Sequence, residues 1–149
     1  EQRLAKLGFE LPEAPRALGS YRPAVLAGGL LFISGQLPMS NGKLAYIGRV
    51  GAELSEADGR AAAQLAALNV LAQIRAALGG FDRLLTLLRV EGHVSSAPGY
   101  FDQPRVIDAA SELFSEVLGD KGAHSRAAFA PPALPRNAAI ELVVIAAVE

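Results

Sequence analysis

The chain has 149 residues, 51% hydrophobic and 19% charged, which is enough for one ordinary core and too little for two domains. Its formal net charge of −1, with no basic run, argues against nucleic acid as a partner, because polyanion binders cluster Lys and Arg to neutralise phosphates. The absence of cysteine excludes disulfides, thiolate catalysis and Cys-ligated zinc, and suits a cytoplasmic location.

In chain order, Glu1 to Leu7 reads as a short helix ahead of Gly8, and Pro12, Pro15 and Pro23 then keep the backbone extended, so residues 1–20 form an arm over the domain of residues 21–149. Two β-prone runs between Ala24 and Leu37 flank Gly28-Gly29, a pair suited to the positive φ angles of a hairpin turn. A polar loop carries Asn41-Gly42, and Leu44 to Val50 suggests an irregular edge strand. Ser55 before Glu56 and Asp58 marks the start of a long helix. Leu68, Leu71, Ile74 and Leu78 form its apolar stripe, and Gly79-Gly80 ends it. From Leu84 to Val94 the period becomes two, with Leu88, Val90 and Val94 on one face and Arg89, Glu91 and His93 on the other. Asp102 and Pro104 open a second helix whose core face is Val106, Ala110, Leu113 and Val117, closed by Gly119 and Gly122. The last third reads as two strands about a proline-rich turn, the final one apolar on both faces except at Glu141.

This order predicts an α+β fold, a two-layer sandwich of one mixed sheet with two helices on one face. The apolar residues on the other sheet face would then lack cover, which predicts association of subunits. No apolar run reaches the ~18 to 20 residues of a membrane span, and no signal-peptide pattern opens the chain. His93 and His124, the only histidines, are far apart and lack metal-ligand spacing, so each reads as a strand or loop histidine and no metal is expected.

Two charges stand out in apolar strands: Arg126 in SRAAFA and Glu141 in IELVVIAAV. A charge buried in a sheet costs several kcal/mol unless it is paired, so each needs a partner or a task. Either the two pair with each other, or one faces solvent at an edge, or they belong to a ligand site. A guanidinium matches both oxygens of a carboxylate, and a buried glutamate can serve in proton transfer.

Gly19-Ser20-Tyr21, Ser34-Gly35-Gln36-Leu37-Pro38, the isolated Arg126, and Leu134-Pro135 followed by Ile140-Glu141-Leu142 together resemble the Rid/YjgF family, also labelled endoribonuclease L-PSP. The resemblance runs from about Tyr21 to the C-terminus. It implies a chorismate-mutase-like fold, a homotrimer with a cleft at each subunit boundary, no metal or organic cofactor, and hydrolysis of small carboxylate-bearing enamines and imines such as 2-aminoacrylate. By position, Arg126 would bind the substrate carboxylate, Glu141 or Ser34 would orient the reacting water, Ser34 with Gly35 would line the cleft, and Tyr21, from a neighbouring subunit, would close it. Tyr21 reads equally as an interface residue and Ser34 as a strand-end cap. The sequence departs from the family pattern at Ser20 for proline, Ala127 for serine and Asp108 for asparagine, the mark of a divergent branch. Asp108 either adds negative charge to the site or is simply solvated. The alternatives are a non-catalytic carboxylate-binding or regulatory trimer and, with less support from this charge and aromatic content, a ribonuclease.

Overall fold

The computed structural model describes residues 1–149. The first helix, α1 (Gln2–Lys6), docks through Leu4, which is fully enclosed. The chain then runs as an extended strap across the longest helix, α2 (Glu56–Leu78), with Phe9 and Leu11 packed on the core. Proline-rich backbone offers few N–H donors, so the strap is held by its carbonyls: Gln73 donates to Pro15 O (2.7 Å) and Arg75 to Pro12 O (3.0 Å).

Gly28 and Gly29, at φ 57° and 75°, turn the chain between β1 (Ala24–Ala27) and β2 (Leu30–Gln36). Asn41 and Gly42 do the same between the two-residue strands β3 (Met39–Ser40) and β4 (Lys43–Leu44). The edge strand expected over Leu44 to Val50 is not continuous, because after Leu44 only single bridges form, at Ile47 with Ala138 and at Val50 with Leu54 and Ser96. Helix α2 begins as its sequence requires: the Asp58 N–H donates to Ser55 Oγ while the Ser55 N–H donates to Asp58 Oδ2, and Gly79 ends the helix at φ 74°. The helix buries more than its leucine stripe. Ala62, Ala63, Ala66 and Ala67 are enclosed because α2 touches the sheet and the second long helix at once, and short side chains let three surfaces approach closely. By length and composition α2 could cross a membrane, yet 67% of its apolar window is buried inside this fold.

Strand β5 (Leu84–Val94) corrects the expected alternation. Its register with the final strand, β7 (Ile140–Val148), slips between Leu84 and Thr86 and again between Leu87 and Arg89. The irregularity turns Leu87 into the core and leaves Leu88 exposed, the effect of an extra residue in one strand of a period-two ladder. Helix α3 (Gln103–Leu118) buries Val106, Ala110, Leu113 and Val117 as predicted, although the Asp102 side chain makes no capping bond. A 3-10 turn, Gly119–Gly122, leads to β6 (Ser125–Phe129), which pairs parallel with β5. All other pairings are antiparallel, and the sheet order is β1-β2-β7-β5-β6.

Ile140, Leu142, Val144, Ala146 and Val148 of β7 point to the helices and form the floor of the core. The other face carries no helix. There Val25, Phe32 and Ile145 stand side by side across three strands, with Val25 and Phe32 more than two-fifths exposed.

Candidate functional site

The alternation of β7 puts Glu141 on the bare face, opposite His93 of β5. Next to it, β2 bulges: Ile33 pairs with Val144 but Gln36 with Leu142, leaving Ser34 and Gly35 against one residue of β7. The Glu141 carboxyl occupies the space that a side chain at position 35 would fill, since a Cβ there would lie 2.8 Å from Glu141 Cδ. Burial is the main influence on this carboxyl and pushes its pKa above the ordinary glutamate range, with His93 pulling weakly the other way.

Glu141, Gly35, Gln36, Tyr21 and Pro135 line a cavity of about 230 Å³ that is roofed by the strap. Tyr21 thus lines the cavity of its own chain's Glu141, and its hydroxyl accepts the Leu18 N–H at 3.3 Å. Pro135 enters from a turn in which Arg136 and Asn137 both hold positive φ, 57° and 59°. Such conformations cost non-glycine residues of order 1 kcal/mol or more. The turn is braced by the Gly48 N–H donating to Asn137 O at 2.9 Å.

Ser34 stands apart from this group. Its hydroxyl donates to Arg22 O (2.7 Å) and its N–H to Pro23 O (2.9 Å), which pins the strap's end to β2. The strand-end role is the one its hydrogen bonds describe.

Arg126 corrects a second expectation. In register it pairs with Val90, a core-facing residue, so its side chain leaves β6 on the helix side, whereas Glu141 leaves β7 on the bare side. The two do not pair. Instead Arg126 Nη1 donates to Asp108 Oδ1 (2.7 Å) and Ser111 Oγ (3.2 Å) on α3, and Nη2 donates to Pro104 O (3.4 Å). Asp108 is thus a partner of Arg126 rather than a solvated helix residue. Ser111 Oγ lies 2.9 Å from His124 Nε2, and His124 Nδ1 lies 2.6 Å from Gly122 O. A carbonyl only accepts, so Nδ1 bears a hydrogen, and in the neutral ring Nε2 then accepts from the serine. Asp108 and Ser111, one helical turn apart, were missed as a pair although their spacing puts both on the same side of α3.

Arg16 was also missed. It lines the Glu141 cavity from the strap, where an exposed arginine between prolines gives no signal in the sequence.

The cavity depends on glycine at one point. Gly35→Ala is expected to displace the Glu141 carboxyl from the cavity, while urea unfolding changes by no more than about 1 kcal/mol because the carboxyl can swing toward solvent. A crystal structure of the variant with the carboxyl unmoved would show that the glycine is not required there.

The family model described as "YjgF/chorismate mutase-like, putative endoribonuclease" matches residues 1–148, so the match includes α1 and the strap as well as the part from Tyr21 on. The protein Atu1372 of Agrobacterium tumefaciens, whose function is unknown, is 42% identical, with a TM-score of 0.94 over 100% of this chain and 92% of that one. A structure from Shewanella oneidensis described as "a putative endoribonuclease" is 37% identical, with a TM-score of 0.95 over 99% and 97% of the two chains. Protein TCP17 of Trypanosoma cruzi is 37% identical over 140 residues, 93% of this chain and 88% of its own length. Fold and sequence agree, and the chain belongs to the YjgF/chorismate mutase-like family.

Proposed function

We propose that the chain hydrolyses small enamines and imines of the 2-aminoacrylate type to the 2-keto acid and ammonia. The observation that carries this reading is the half-buried Glu141, its carboxyl held above the normal pKa range in a cavity with room for such a molecule. An enamine first takes a proton on its terminal carbon and gives one up from nitrogen, becoming the imine. Water then adds to the imine carbon, the C=N pair moves to nitrogen, which takes up a proton, and the carbinolamine passes its hydroxyl proton to nitrogen as it expels ammonia to leave the ketone. Glu141 takes the proton from the adding water and returns it to the departing nitrogen, a cycle suited to a carboxyl whose pKa has been moved toward neutrality. The imine carbon is already electrophilic, so positioning supplies most of the remaining help.

The substrate carboxylate is assigned to Arg126. Within one chain Arg126 and Glu141 lie on opposite faces of the sheet, so this assignment requires a closed homotrimer in which the Arg126 of one subunit meets the Glu141 cavity of the next. The substrate must then displace Asp108 from the guanidinium. Asp108→Asn is expected to lower KM several-fold with kcat little changed, because the competing anion is gone. Stability should change by about 1 kcal/mol or less, since the pair is 23% and 47% exposed. An unaltered KM would place Arg126 outside substrate binding.

The central test generates 2-aminoacrylate from serine with a dehydratase and adds semicarbazide to trap the imine. The expected result is faster pyruvate release and less trapped product with the protein present. An unchanged partition at equimolar protein sinks the reading, and a non-catalytic carboxylate-binding protein would then fit the same cavity.

A further inference from the structure

The hydrolase reading uses one end of a longer trench. Beyond the Glu141 cavity a second chamber of about 480 Å³ continues under the strap, toward Asn41, Gly42 and Asn69. The two chambers share Pro15, Arg16, Leu18 and Met39 as a common wall. A molecule the size of 2-aminoacrylate needs only the first.

Arg16 is the only cation in the lining of either chamber, and it takes part in none of the chain's ion pairs. Its backbone is not free to wander. On one side Pro15 O receives the amide of Gln73, a side chain 3% exposed that also donates to Gln36 Oε1 at 3.3 Å. On the other side the Leu18 N–H is held by the Tyr21 hydroxyl. Two tethers therefore present an uncompensated guanidinium at the junction of the chambers. Glu13, the acid in the wall of the second chamber, is exposed and makes no pair with Arg16. Arg126, by contrast, already has its anion in Asp108.

We propose that Arg16 binds a second acidic group at the far end of the substrate, so that the cleft is built for imines of dicarboxylic amino acids. This assignment rests on the hydrolase reading above and extends it to the substrate side chain. The α-carboxylate and imine carbon lie at the Glu141 end, and the side-chain carboxylate reaches Arg16, whose planar donors match its two oxygens.

The test separates the two claims by reading binding without turnover. 2-Oxoglutarate and 2-oxobutanoate, stable keto acids that differ in the distal carboxylate, are titrated by NMR into the wild type, Arg16→Gln and Arg16→Lys. The wild type should bind 2-oxoglutarate at least tenfold more tightly. Arg16→Gln should cut that ratio about tenfold, and Arg16→Lys should recover only part of it. Thermal unfolding of each variant checks the fold, which an exposed and unpaired side chain is not expected to alter. Equal affinity of the wild type for the two ligands, or a ratio that survives Arg16→Gln, overturns the proposal, as does failure to bind either ligand. If the wild type hydrolyses 2-iminopropanoate yet shows no dicarboxylate preference, the second acidic subsite fails and the hydrolase reading stands. If the preference is present but no imine is hydrolysed, the subsite stands as a binding site and the hydrolase reading fails.

Discussion

Glu141→Gln is expected to reduce kcat/KM for imine hydrolysis by a factor of about 10² to 10⁴, the range that a positioned general acid–base supplies. The amide keeps the shape and fills the same space against Gly35, so the loss isolates proton transfer from packing. Stability should move the other way. In the folded chain the Glu141 pKa lies above its ordinary value, so the native state holds its proton to higher pH than the unfolded state. Native stability therefore falls as pH rises from the ordinary glutamate pKa through the raised one, and stays lower above both. The glutamine carries no such cost. Urea unfolding should find the variant more stable than wild type at pH 8, with that advantage gone well below the unfolded-state pKa. Retained activity, or the same stability difference at both pH values, would remove Glu141 from the role assigned to it.

Gly122→Ala is expected to be the most destabilising single-methyl change in the chain. Gly122 is buried at the end of the 3-10 turn, and a Cβ there would collide with the backbone carbonyl of Phe114, which cannot rotate aside as a side chain would. Overpacking of this kind costs about 3 kcal/mol. For a chain of this length that corresponds to a Tm lowered by roughly 6 to 12 °C. The shift also pulls on Gly122 O, which orients His124, and through Ser111 on the guanidinium of Arg126. Differential scanning of the variant checks the prediction, and a Tm within about 2 °C of wild type would show that the turn yields freely.

The elements that were readable from the sequence are those whose signals are local. Ser55 and Asp58 announce the start of α2, paired glycines announce the first hairpin, and a four-three-four spacing announces the buried face of α3. Glu141 was readable as a misplaced charge because its neighbours in β7 are uniformly apolar. What was not readable depends on partners distant in the chain. SRAAF has no alternation, so the face to which Arg126 points is set by its register with β5, and that register follows an irregularity at Leu88 that the hydrophobic pattern conceals. The Arg126–Asp108 pair needs both that register and the packing of α3 on β6. Arg16 acquires significance only when the strap is laid over the cleft, and the strap is fixed by the Gln73 amide and the Arg75 guanidinium of α2, which look like ordinary surface residues in the sequence.

The position of β7 has a consequence for how the chain is made. It is the middle strand of the sheet, yet every other strand precedes it in the chain. During synthesis β1-β2 and β5-β6 can each form early, but they remain separate ribbons whose inner edges, at β2 and β5, have no strand to pair with. Only when residues 140–148 leave the ribosome can the two halves be joined and the core floor be laid. Until then both edges are open to other nascent chains, so the interval before β7 is available to pair is when this protein is most exposed to misassembly.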